Sequence, residues 1–266
     1  MITNSLVIAS YNILHPAFAV KNGTTQGVCL QEDGTVTDNW NMRSRQIAAN
    51  MADADIVCLQ EADPLLMSDL HSGFTAATYG SHRRGNEFHY HGTAVLARYF
   101  LTLSKPHRFL WNQGTPDART ATAMYVTLPD NGPRILIASV HPDGYWDGEQ
   151  KLHKLEASKE KGHDELFLCI TEAERYKNNA DAIIIAGDYN EALTPPGQAF
   201  NRHALLRMHG YRHDGNMAVT EPATGRKIDW IYVWSKGRVT VEQIETTPPF
   251  PDASDHLPVK TRLVFG

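Results

Sequence analysis

Two short segments in the second half of the chain, Gly187-Asp188-Tyr189-Asn190 and Ser254-Asp255-His256, bring carboxylate, amide and imidazole groups together. A third acid, Glu61, ends the run Asp55-Ile56-Val57-Cys58-Leu59-Gln60. Hard oxygens of this kind suit Mg²⁺, which keeps several waters and is held by one or two carboxylates plus a substrate phosphate. Glu61 and Asp255 are the candidate metal carboxylates, with Asn12 as an amide-oxygen neighbour; Mn²⁺ is the alternative ion. Asp188 and Asn190 stand two apart, so on extended backbone their side chains project to the same side. One can polarise an attacking water while the other orients it. His256 adjoins Asp255 and offers a phosphate-binding imidazole. Asp229, in Lys227-Ile228-Asp229-Trp230, is its candidate carboxylate partner, able to raise its pKa and fix its tautomer. His141, which follows the apolar stretch 135–140, is a further donor toward a phosphate in the transition state.

These groups need strand ends to hold them at one rim. Apolar runs at 6–9, 55–59, 93–97, 183–185, 228–233, 239–244 and 259–264 read as strands. Residues 120–128 and 134–140 form a hairpin across the turn Pro129-Asp130-Asn131-Gly132. Residues 41–51 read as a helix, with Asn39 or Asn41 as cap and Ile47 and Met51 on one face. Pro64 starts another helix running to about Leu70. Residues 149–178 are helical with a break or kink at Gly162, and 199–209 are helical. Strand, helix and strand lead to Asn12 and then Glu61, and the same order leads to His141 and then Asp188. Two such halves packed face to face make an α/β fold, a four-layer αββα sandwich, with their loops meeting at one rim. No linker divides the chain, so a single domain over residues 1–266 is expected.

The bulk numbers fit that reading. The chain has 266 residues and a 42% hydrophobic fraction, enough for a large core. A formal net charge of −5 gives no global basic field for long nucleic acid, but a metal can still grip a phosphate end. Three sparse cysteines, Cys29, Cys58 and Cys169, lack metal spacing and fit a reducing compartment, so a cytoplasmic location is expected. No signal peptide and no membrane span are expected, because no uncharged apolar run approaches ~18 residues. Histidines at 82, 89 and 91 lack the cysteine or carboxylate spacing of a zinc site. The charges between Lys151 and Lys161 read as a solvated helix face.

Taken in order, Ser10-Tyr11-Asn12, Leu59-Gln60-Glu61, Ser139-Val140-His141-Pro142, Gly187-Asp188-Tyr189-Asn190, Ile228-Asp229-Trp230 and Ser254-Asp255-His256 resemble the endonuclease/exonuclease/phosphatase superfamily, which shares the DNase I-like fold. The resemblance spans nearly the whole chain. It implies that Glu61 is the principal metal ligand with Asn12 and Asp255 beside it. It implies also that Asp188 and Asn190 activate and align water, that Asp229 and His256 form the family's Asp–His pair, and that His141 contacts phosphate. The opening Ser10-Tyr11-Asn12-Ile13-Leu14, with Trp40-Asn41-Met42-Arg43-Ser44-Arg45, leans toward the clade of poly(A) deadenylases, nocturnin and the Angel proteins. That clade carries a lysine shortly after the histidine, where this chain has His141-Pro142-Asp143-Gly144. Arg83 or Arg84 is the candidate to supply the missing charge, Arg119 could grip a phosphate, and Trp146 could stack on a base or sugar.

The activity implied is divalent-metal-dependent phosphoester hydrolysis. The first-choice partner is RNA or another nucleic acid attacked near a short, single-stranded end. The alternatives are a phosphorylated small molecule or lipid, such as an inositol phosphate or nucleotide, and a non-catalytic binding module on the same scaffold.

Overall fold

The computed structural model describes residues 5–14, 42–63, 70, 74, 92–98, 121–130, 132–144, 159–193, 201–213, 215, 217–245 and 247–266, and the backbone of the remaining strand and helix residues. The first part of the chain forms β1 (Ser5–Asn12), β2 (Val28–Leu30), β3 (Val36–Asp38), α1 (Trp40–Asn50) and β4 (Ile56–Ala62). There follow β5 (Ala76–Arg83), β6 (Tyr90–Ala97), β7 (Thr102–Leu103), β8 (His107–Leu110), β9 (Thr120–Thr127) and β10 (Arg134–Val140). The remainder forms α2 (Leu152–Glu174), β11 (Ala182–Asp188), α3 (Arg202–Met208), β12 (Arg212–His213), β13 (Asp229–Ser235), β14 (Val239–Ile244) and β15 (Val259–Phe265).

Two mixed sheets result, ordered β14-β15-β1-β4-β6-β5 and β12-β13-β11-β10-β9-β7, with β8 also pairing β9. Each sheet contains one parallel pair, β1 with β4 and β10 with β11, and each pair is joined through a helix. That connection is the one a parallel pair requires. Side-chain alternation then builds three apolar layers. Leu6, Ile8, Ile56, Ile137, Ile184, Ala186 and Ile231 meet between the sheets. Ala9 and Tyr11 face outward onto Ile47 of α1 and Met51 just past its end. Ile183 and Ile185 face outward onto Leu166 and Ile170 of α2. The run Ile183-Ile184-Ile185 is unbroken because a strand covered on both faces has no polar side to present. This is the four-layer αββα sandwich.

A polar seam crosses the inter-sheet layer just beneath the rim. Gln60 Nε2 donates to Ser139 Oγ at 3.1 Å, and Ser139 Oγ donates to the Leu59 carbonyl at 2.8 Å. Thr93 donates to Thr122 at 2.9 Å. All four side chains are buried. Hydrogen bonds in so dry a place have specific geometry and register the two sheets against each other.

Helix α2 runs unbroken through Gly162, contrary to the expected kink. The glycine serves close approach instead: a Cβ there would collide with the Arg202 guanidinium and the Asp143 carbonyl. Helix α1 begins at Trp40, which puts Asn41 inside its first turn, not at the cap, and Asn39 lies outside the described residues. Of the helix expected after Pro64, only Leu70 is described. Lys161 departs from the expected solvated face by pairing with Asp143 at 3.0 Å. Among the described residues, no helix is long and apolar enough to cross a membrane.

Candidate active site

The sheet topology delivers the acids to one rim. The parallel strands β1, β4, β10 and β11 run their carboxyl ends to it, carrying Asn12, Glu61, His141 and Asp188. The antiparallel neighbours β13 and β15 start there. Asp229 opens β13 directly opposite Asp188, and Asp255 and His256 stand just before β15, whose first residue Val259 pairs with Ser10.

Glu61 owes its aim to a break in the ladder. The β4–β6 register shifts between Leu59 and Ala62, and Glu61 takes a left-handed backbone, φ 54°. A bulge re-aims a side chain at the cost of local strain, which for a non-glycine residue at positive φ is about 1–3 kcal/mol. Asn190 is also left-handed, φ 51°. The extended segment expected to point Asp188 and Asn190 the same way therefore stops at Asp188. The Asn190 amide N–H turns back onto Asp188 Oδ1 at 2.7 Å, and its carboxamide donates to the Pro142 carbonyl at 3.3 Å. This is an Asx turn, for which asparagine and aspartate are suited.

Asp188 Oδ2 is the focus of the cluster. Asn12 Nδ2 donates to it at 3.1 Å, His141 Nε2 lies at 3.4 Å and His256 Nε2 at 3.9 Å. Asn12 Nδ2 also reaches Glu61 Oε1 at 3.4 Å. His256 Nδ1 bonds Asp229 Oδ2 at 2.8 Å, which leaves Nε2 facing Asp188 and Asp255. Ser254 fixes the last acid, its hydroxyl donating to the Asn12 carbonyl at 2.7 Å and lying 3.3 Å from Asp255 Oδ1.

The electrostatics follow from burial and crowding. Burial pushes the Asp255 carboxyl up to about 6, against the pull of His256 and with the charges of Glu61 and Asp188 adding to the rise. Burial would lift Asp188 too, but the His141 hydrogen bond, the His256 and His141 charges and the Asn190 N–H hold it well below the carboxylate range. For His256, burial favours the neutral ring. The charge and hydrogen bond of Asp229, with Asp188 and Asp255 behind, outweigh it and keep the imidazole protonated well above its usual range.

Among the described residues, Asp188, Asp229 and His256 also bring potential metal-ligand atoms within 4.8 Å of one another. That set differs from Glu61, Asn12 and Asp255. In it, His256 Nδ1 is already engaged by Asp229 at hydrogen-bond distance. The carboxylates of Glu61 and Asp255 are hard oxygens of the kind that suits a divalent cation, whereas Asn12 turns its Nδ2 toward Glu61 and Asp188 and its Oδ1 accepts the Leu14 N–H at 3.1 Å.

Arg84, Arg119 and Trp146 lie outside the described residues, and Arg83 is placed only as the backbone end of β5. Two buried arginines support the rim without having stood out as site residues in the sequence. Arg43 on α1 donates to the Ile13, Leu14 and Ala253 carbonyls, tying the end of β1 to the segment before Asp255. Arg202 on α3 donates to the Tyr189 and Asp143 carbonyls. Only the Trp40–Arg45 pattern hints at the first. Nothing in the sequence around Arg202 marks the second.

The sequence matches the model of the Endonuclease/Exonuclease/phosphatase family over residues 9–256. No curated protein matches it by sequence. Among solved structures, the catalytic domain of human nocturnin with bound sulfate superposes with a TM-score of 0.69 at 19% identity, covering 100% of this chain and 96% of that one. A mannosyl-6-phosphatase from Bacteroides thetaiotaomicron VPI-5482 gives 0.67 at 18%, covering 98% and 100%. ANGEL2, a 2′,3′-cyclic phosphatase, gives 0.63 at 14%, covering 97% and 95%. At these identities the likeness is one of fold.

Proposed function

The chain belongs to the endonuclease/exonuclease/phosphatase family, and on that premise we propose that it hydrolyses phosphoesters by in-line attack of water with Mg²⁺ or Mn²⁺ at the rim. The observation that carries the reading is the convergence of Asn12, His141 and His256 on Asp188 Oδ2, with Asp229 behind His256. Glu61 and Asp255 would hold the ion, with Asn12 as their neighbour. When bound, it supplies Lewis-acid neutralisation of the scissile phosphate and leaving oxygen.

The chain's own residues do the rest. Asp188 and Asn190 place the water, and Asp188 Oδ2 takes its proton. His256, kept charged by Asp229, presents Nε2–H to the phosphate oxygens, and His141 is a second donor. Donors fixed in advance where negative charge builds cost no reorganisation during reaction.

The first-choice substrate is RNA or another nucleic acid held near an end. The Tyr11-Asn12 and Trp40–Arg45 patterns and the likeness to nocturnin and ANGEL2 support it. A phosphorylated small molecule is the second reading, favoured by the likeness to the mannosyl-6-phosphatase. The test is turnover with and without chelator on 3′-tailed RNA, single- and double-stranded DNA, 2′,3′-cyclic-phosphate RNA, nucleotides, sugar phosphates and inositol phosphates. Chelator-sensitive cleavage confined to RNA supports the first choice. Phosphate release from a small molecule alone replaces it with the second. No turnover on any member sinks the hydrolase reading.

A further inference from the structure

We propose that Arg202 is a positioning residue that sets Asn190 against the 141–144 segment, an inference resting on the reading that Asn190 orients the attacking water. The two segments come from different strands, β10 and β11; past the strand ends the Tyr189 N–H still donates to the Ile228 carbonyl at 2.9 Å, a bond that ties it to β13 and not to the 141–144 segment. What holds them is a knot beneath the rim. The Arg202 guanidinium is fully buried and donates to the carbonyl of Tyr189, the residue before Asn190. Through Nη2 it donates at 2.6 Å to the carbonyl of Asp143, two residues after His141. The Asp143 amide donates in turn to Glu165 Oε2 of α2 at 2.6 Å, and its carboxylate pairs with Lys161 at 3.0 Å. Amide, carbonyl and side chain of one loop residue are thus all gripped from the helical layer.

Glu191 completes the knot, accepting the Arg202 backbone N–H at 3.2 Å, with its carboxylate 3.8 Å from the guanidinium. Two glycines make room. Gly162 leaves space for the guanidinium against α2, and a Cβ at Gly144 would strike the Asn190 carboxamide, whose Oδ1 lies 2.5 Å from that position. The Asn190 carboxamide therefore sits between the Pro142 carbonyl and Gly144, and Arg202 fixes the spacing of both walls. A guanidinium can bridge two carbonyls from separate loops because its donors lie in one rigid plane; a lysine ammonium cannot reproduce that fork.

The test is a double-mutant cycle of Arg202→Lys and Asn190→Ala, reading kcat, KM and the urea midpoint, on the panel substrate with the fastest turnover. Misplacement of a reacting group by about an ångström costs up to ~10²-fold. Arg202→Lys is expected to lower kcat roughly 10- to 100-fold with KM little changed, but by less than about twofold in the Asn190→Ala background. Gly162→Ala, which crowds the same guanidinium, is the second variant should Arg202→Lys fail to fold, and it is expected to show the same non-additivity. Alongside, the Asn190 side-chain NH₂ signals in a ¹H–¹⁵N spectrum, identified by their loss in Asn190→Ala, are expected to move in Arg202→Lys. Equal losses of kcat in both backgrounds, an unchanged kcat in the folded variant, or unmoved Asn190 signals would overturn the proposal. If the wild type turns over no phosphoester, the functional reading fails separately. The spectrum then still decides whether Arg202 holds Asn190.

Discussion

His256 and Asp229 form a buried pair, Nδ1 to Oδ2 at 2.8 Å, built from the first residue of β13 and a residue just before β15, strands of different sheets that both start at the rim. The pair is held from behind: Thr220 accepts the Asp229 amide at 3.1 Å on its hydroxyl, and its carbonyl accepts the Leu257 amide at 2.7 Å. One residue therefore fixes the backbone beside both partners. Because His256 is raised, its ion pair contributes stability that is full below the ordinary histidine pKa and is lost as pH rises through the folded value. The same protonation should govern activity. Asp229→Asn removes the charge that does most to keep the ring protonated. Turnover is expected to fall by ~10²-fold, the scale of losing one charge-stabilising group. The alkaline limb of the pH–kcat/KM profile should move to lower pH. An unmoved limb would show that His256 is not the group whose proton matters.

His203 titrates in the opposite sense. Burial, with the neighbouring His213, Arg207 and Arg202 charges adding, holds it down to about 4, against the favourable hydrogen bond to the Glu191 carbonyl. It is neutral when folded, bonded to the Tyr232 hydroxyl at 2.7 Å and the Glu191 carbonyl at 3.0 Å. The unfolded chain binds its proton more readily, so this contribution is intact above pH ~6.5 and is lost as pH falls toward 4. Between pH 7 and pH 5 it should amount to about 2 kcal/mol. Urea unfolding of the wild type and His203→Gln at both pH values checks this. The stability gap between them should narrow on acidification; a constant gap would contradict it.

Gly187 explains how Asp188 reaches the rim at its observed height. A Cβ there would collide with the Val140 carbonyl across the parallel β10–β11 ladder. Gly187→Ala must push the strands apart, and overpacking of this kind costs about 1–3 kcal/mol. The urea midpoint is expected to drop accordingly, and turnover with it, since Asp188 is the next residue. A variant of wild-type stability and activity would mean that the strands yield without strain.

How far the sequence reveals this molecule varies with the kind of residue. Ile183-Ile184-Ile185 followed by Gly187-Asp188 can be read directly, because a strand buried on both faces writes itself as an unbroken apolar run and its end writes itself as a polar one. The same holds for Ile56-Val57 before Glu61. Gly162 misleads for a physical reason: glycine is ambiguous between backbone freedom and missing bulk, and only the neighbour across the gap, Arg202, distinguishes them. Gln60 and Ser139 look like interruptions in strands, yet they pair with each other 79 residues apart. Arg202 sits on a seven-residue helix with no periodic signal, and its partners are carbonyls, which every residue has. Contacts to backbone leave no mark on the partner's side of the sequence. The left-handed turns at Glu61 and Asn190 are equally hidden, since local composition does not announce a bulge.

Under the proposed function, phosphoester hydrolysis at this rim depends on Glu61 as part of a divalent-metal site. The most direct measurement is Mg²⁺ titration of turnover and of calorimetric binding, in the wild type and Glu61→Ala side by side. The wild type should gain activity with Mg²⁺. Glu61→Ala should bind the ion measurably more weakly and lose at least ~10²-fold in turnover even at saturation, while unfolding at a similar urea concentration. Wild-type turnover in Glu61→Ala at saturating Mg²⁺, or activity in the wild type that chelator leaves untouched, would contradict it.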